Sequence, residues 1–106
     1  ELAQELQPLV PALDAEARLD LMRRADVWLT QEPRDAGLLL LLGRLALAQQ
    51  PWGKAQGYLE ASVSLHNSLA AQVELTRLFE QLDRPDDARR HTDACVQLAL
   101  AQAAGT

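Results

Sequence analysis

The sequence predicts an all-α fold of short helical hairpins, and three observations predict it. Leu and Ala dominate the apolar residues, Ile is absent, and only Val10, Val27, Val63, Val73 and Val96 supply β-branched aliphatics. Strands favour β-branched and aromatic side chains, whereas Ala and Leu lose little side-chain freedom in a helix. Prolines and capping residues recur at intervals that cut the chain into about six helices. The later helices also repeat in pairs of near-constant length.

Residues 1 to about 12 read as a helix that Pro8 and Pro11 kink or fray. Asp14 offers a side-chain oxygen as N-cap for a second helix to about Gln31, in which Leu21, Ala25, Trp28 and Leu29 form one stripe. Glu32-Pro33 ends it, because a residue before proline avoids the α region. Asp35 caps a third helix running through Leu38–Leu42 to Gln49-Gln50. Pro51 suits the first position of a fourth helix, to about Leu65, since its missing N–H costs nothing there. Asn67-Ser68 is a turn, with Ser68 capping a fifth helix to about Leu82. Pro85 opens the sixth, and Asp86 and Asp87 favour its positive dipole end.

Shifting the chain by 33 residues superposes Leu42 on Leu75, Arg44 on Arg77, Leu45 on Leu78, Ala55 on Ala88, Ser62 on Cys95 and Leu65 on Leu98. A two-helix period close to about 34 residues is that of a tetratricopeptide repeat, whose hairpins wind into a right-handed α-α superhelix. Gly43, Ala55, Ser62, Ala88 and Cys95 fall where helix axes cross and only small side chains fit, while Leu42, Leu59, Leu65, Leu75, Phe79 and Leu98 fill the space between pairs. Thr76 and Thr92 depart from the pattern, so the second unit is the more divergent. The chain then reads as a single domain: a leading helical cap or degenerate repeat at 1–34, a repeat at 36–68 and another at 69–101. Two units are few for a solenoid, so the cap belongs to the core. Glu1 in place of an initiating Met fits a piece of a longer array.

With 15 acids against 10 bases and a net charge of −5, no basic stripe exists to displace counterions from phosphates, which argues against nucleic acid and anionic membrane surfaces. The greasy stretch Ala36–Ala48 is interrupted by Arg44 and falls short of the roughly 18 to 20 residues that span a bilayer. Cys95 is the single cysteine, so no internal disulfide forms. Leu38–Leu42 sweep the whole circumference of a helix, which predicts an exposed apolar patch and self-association into a homo-oligomer.

The segment LLLLLGRLALAQQPWGKAQGYLEASVSL, residues 38–65, resembles the C-terminal repeat region of the bacterial HemY family. The likeness rests on Leu42-Gly43-Arg44, Trp52-Gly53-Lys54-Ala55, Tyr58-Leu59-Glu60-Ala61-Ser62, Leu82 to Ala88 and the upstream Leu9-Val10-Pro11. It implies a larger protein of Gram-negative bacteria, anchored in the inner membrane by an N-terminal segment, with this region facing the cytoplasm. It also implies a regulatory or organising role at a late step of protohaem synthesis, with haem-pathway enzymes as partners. An unrelated flavin-dependent oxidase shares the family's name, but no Gly-rich dinucleotide fingerprint occurs in this chain.

No nucleophile sits in a strained elbow such as G-x-S-x-G, and no catalytic residue or cofactor is assigned. His91 and Cys95, four apart, have the spacing of a metal or haem ligand pair, yet no third ligand lies nearby in sequence, and packing is the simpler role. In tetratricopeptide arrays the first helix of each pair lines a concave groove. By similarity, Leu40, Arg44, Leu47 and Ala48, followed by Val73, Arg77, Glu80 and Gln81, face a protein partner there. Arg44 and Arg77 share one repeat position, about 10 Å apart. Their guanidinium forks either hold carboxylates of a partner peptide or pair with acids of the chain itself. The expected function is therefore a non-catalytic scaffold. The alternatives are a regulatory domain that binds haem or porphyrin directly, or an accessory region of an enzyme whose active site lies elsewhere.

Overall fold

Local chemistry accounts for where each helix begins and ends in the computed structural model, which describes residues 2–49 and 52–105. The elements are α1 (Leu2–Leu6) running into a 3-10 helix (Gln7–Ala12), then α2 (Ala15–Gln31), α3 (Ala36–Gln49), α4 (Trp52–Leu65), α5 (Leu69–Gln81) and α6 (Pro85–Ala104). No strand occurs among the described residues, and the protein is all-α. The expected kink in the first segment takes the form of the 3-10 helix, which holds both Pro8 and Pro11. Three side chains cap as anticipated. Asp14 accepts from Ala17 N at 2.8 Å, Asp35 Oδ1 from Leu38 N at 3.0 Å, and Ser68 Oγ from Ala71 N at 3.1 Å, each satisfying an orphan donor of a first turn. The role expected of Pro51 lies outside the described residues.

α5 stops in a Schellman arrangement. Arg84 N donates to Phe79 O at 2.9 Å and Asp83 N to Glu80 O at 3.2 Å, with Asp83 in the left-handed region at φ 56°. Pro85 then restarts the chain as the first residue of α6, and Asp87 pairs with Arg84 (2.6 Å) and Arg90 (3.3 Å) around its opening turn.

α3 is the centre of the packing. It lies along α4, is flanked by α2 and α5, and is covered by α1 and the 3-10 helix. Leu38 to Leu42 are consequently all buried, at 3, 5, 9, 0 and 0% exposure, as are Leu45 and Ala46. The exposed patch expected from this run is therefore absent: neighbours on every side take up its whole circumference. The large apolar residues that stay exposed, Leu9, Leu19, Val27, Val96 and Leu100, lie elsewhere. Ala3 and Val10 join the core cluster, so the N-terminal segment is part of it. Trp28 is half-buried against the same cluster.

Close crossing of α3 and α4 depends on Gly43. A Cβ there would stand 2.5 Å from Leu59 Cδ2 and 2.7 Å from Leu59 Cγ. Nearby, Ala55 is sealed, and Ser62 donates to Ala36 O at 2.8 Å. Ala88 is buried as well, while Cys95 is half-buried. Polar ties set the relative placement of the earlier helices. Arg18 of α2 donates through Nε to Gln49 of α3 (2.7 Å) and through NH1 to Leu13 O (2.8 Å).

Tyr58 of α4 donates its phenol to Asp26 of α2 at 2.9 Å. Burial, then the hydrogen bond to Asp26 and its negative charge, push the Tyr58 pKa up to about 12. The folded state thus prefers the neutral phenol. The stability this contributes is full below the unfolded value of about 10 and is lost as pH rises through about 12. Tyr58 is the only tyrosine, so phenolate absorbance reports it alone. Its midpoint should lie well above 10 in the folded chain, and Asp26→Asn should lower it. Ionisation near pH 10 in the folded wild type would contradict the α2–α4 contact.

Candidate functional site

A groove of about 800 Å³ is walled by the N-terminal segment, α3 and α5, with Trp52 at the start of α4. Pro8, Val10, Pro11, Leu47, Ala48 and Trp52 give it an apolar side, and Gln4, Gln7, Arg44, Glu74, Arg77 and Gln81 a polar one. Leu45 and Leu41 on α3 and Leu75 and Leu78 on α5 point into the core. The helical period therefore turns Arg44, Leu47, Ala48, Arg77 and Gln81 to the opposite, open side.

A line of charge crosses this groove. Arg44 Nε donates to Glu74 Oε2 at 2.6 Å, and Arg77 NH1 to Glu74 Oε1 at 3.3 Å. The three side chains differ sharply in exposure: 9% for Glu74, 24% for Arg44 and 69% for Arg77. Arg44 also donates through NH1 to Gln7 Oε1 at 2.8 Å, while Gln7 Nε2 donates to Gly37 O at 3.0 Å. Gln7 thus clips the N-terminal segment to α3 by both ends of its amide. Arg44 is fixed by a buried carboxylate and this amide, whereas Arg77 leaves most of its guanidinium in water.

Of the residues expected to face a partner, Arg44, Leu47, Ala48, Arg77 and Gln81 line the groove. Leu40 does not: it shares the helical face of Arg44 and Leu47, yet at 9% exposure it is buried in the core. Val73, half-buried, and Glu80, exposed, are also absent from the lining. The two arginines pair with an acid of the chain, and that acid is Glu74, one turn before Arg77 on α5. Sequence reasoning missed Glu74 and Gln7. The spacing of Glu74 and Arg77 was a visible signal for the first; for Gln7 no local signal exists, because its partners are 30 and 37 residues away.

His91 sits outside the groove, on α6 against α5. Gln72 Nε2 donates to Asn67 Oδ1 at 2.9 Å, which leaves Gln72 Oε1 to accept from His91 Nδ1 at 2.7 Å. The imidazole stacks on Phe79 with centroids 5.3 Å apart and planes 6° apart, and Arg84 lies 4.9 Å from the Phe79 centroid. His91 Nε2 is buried without a hydrogen-bond partner. Burial and then the charge of Arg90 lower the His91 pKa, partly opposed by Glu60 and Asp87. With Nδ1 held by Gln72 and Nε2 enclosed, the imidazole packs between α5 and α6. Among the described residues no three His, Cys, Asp or Glu side chains are grouped to hold a metal ion.

What fold and site define together is an all-α protein with an open, partly charged groove. Comparison with family models, curated proteins and solved structures finds no match to the chain.

Proposed function

We propose that the chain is a tetratricopeptide-like interaction module that binds a protein partner in its groove and performs no chemistry of its own. The observation that carries this function is the composition of the groove wall: the N-terminal segment, α3 and α5 all contribute to it. Pairing of α3 with α4 and of α5 with α6, together with contact between α3 and α5, supports a stack of hairpins in which the first helix of each lines one face. The same helices share a polar line beside an apolar strip, a combination suited to side chains and backbone of an extended segment. From the resemblance of residues 38–65 to HemY-type repeats, we place this binding in a protohaem-synthesis setting at the bacterial inner membrane. No helix among the described residues is long and apolar enough to cross a membrane, so an anchor would be a separate segment.

Photo-crosslinking tests this function. A photoreactive amino acid at Ala48, exposed on the groove, should trap a protein partner in cells, and Arg77→Glu should abolish the product. Haem-pathway enzymes among the trapped proteins would support the setting. The same product from exposed Gln97 on α6, undiminished by Arg77→Glu, would rule the groove out as the binding face.

A further inference from the structure

Resting on the interaction module proposed above, we infer that the groove's ligand is an extended peptide bearing a carboxylate, which Arg77 receives, next to an apolar residue held by Leu47, Trp52 and the Pro8–Pro11 turn. The unequal roles of the two arginines lead there. Glu74 is nearly enclosed and needs compensation; Arg44, at 2.6 Å and itself three-quarters covered, supplies it. Arg77 approaches the same carboxylate only at 3.3 Å and is 69% exposed. An incoming carboxylate can therefore take over the outward donors of Arg77 without leaving Glu74 unpaired, a substitution that the buried Arg44 could not make. The guanidinium fork matches a carboxylate in plane and spacing, so the exchange loses no hydrogen bonds.

Charge points the same way. The chain has a formal net charge of −5, yet among the described residues the groove lining has two arginines against one carboxylate. That local excess of positive charge in an acidic protein selects an acidic ligand and repels nothing it needs. Beside it, the half-buried Trp52 and the two prolines offer flat, rigid apolar surface that is already ordered before binding, so little side-chain entropy is lost there.

The test pans the intact chain against a phage-displayed random dodecapeptide library. Selected peptides are then titrated in the Trp28→Phe background, where fluorescence comes from Trp52 alone. Enrichment of Asp or Glu beside Leu or Pro is expected. Arg77→Gln should weaken the acidic peptides about tenfold while leaving their Asn or Gln versions unchanged, since a charge-assisted hydrogen bond is lost only in the first case. Helical circular dichroism should be the same in both chains, because Arg44 still compensates Glu74. Peptides bound equally by wild type and Arg77→Gln, but lost on Leu47→Glu, would overturn the carboxylate while leaving the groove intact. Peptides indifferent to both substitutions would overturn the groove itself.

Discussion

Replacing Gly43 with valine should cost the fold about 3 kcal/mol, although valine is the better helix former of the two. The new Cβ would meet Leu59 Cδ2 at 2.5 Å and Cγ at 2.7 Å, and Leu59 is fully enclosed. The atoms met are the tip of a flexible side chain, but one that is wholly enclosed and cannot swing out to solvent. Overpacking of this kind forces either an off-rotamer leucine or separation of α3 from α4. A chain of 106 residues has a total stability of about 5–15 kcal/mol, so the loss is a substantial share of the whole. Urea titration should show a lower midpoint at unchanged slope. Leu59→Ala alone should cost about 2–5 kcal/mol through the cavity it leaves, and the double variant should lose less than the two costs added. A neutral or stabilised Gly43→Val would mean that the two helices do not meet as closely as described.

Glu74→Ala should cost about 3 kcal/mol, the lower end of what breaking a buried ion pair costs, because Arg44 retains some contact with water. Removing the carboxylate strands the Arg44 guanidinium beneath the N-terminal segment, with Gln7 as its remaining partner. Arg77→Gln, by contrast, should cost under about 1 kcal/mol, since that pair is largely exposed and screened. Replacing Arg44 and Glu74 together by leucine should recover most of the loss, because no buried charge is then left unpaired. Chemical denaturation at low and at moderate salt checks the order. Equal costs for Glu74→Ala and Arg77→Gln would mean that the exposed arginine, not the enclosed one, secures the carboxylate.

Both effects arise at contacts between helices, and this is where the sequence and the structure part company. Helix content and helix ends were legible from local chemistry. Asp14, Asp35 and Ser68 bond to donors three residues ahead of them, and Pro85 excludes itself from every position but a first turn. Such interactions are contained within one turn of chain, so residue type and spacing suffice to identify them. The face of α3 and α5 turned away from the core was legible too, at Arg44, Leu47, Ala48, Arg77 and Gln81, because a period of about 3.6 residues separates it from the leucines.

Leu40 marks the limit of that logic. Helical phase alone could not say how many neighbours α3 would have; the N-terminal segment, α2, α4 and α5 all pack on it, and Leu40, expected in the groove, is buried. The partners of Arg44 were likewise out of reach of sequence, since Glu74 and Gln7 lie 30 and 37 residues away and meet it only through the packing of α3 against α5 and the first turns. The sequence by itself determined six helical segments, the side-chain caps of three of them and the polar face of two. Only the tertiary structure decided that Gly43 admits Leu59, that Glu74 unites two arginines, and that one of those arginines stays largely exposed while the other is mostly covered. Local hydrogen bonds and helical phase are short-range and readable in order along the chain; burial and charge pairing depend on which distant helix supplies the other side.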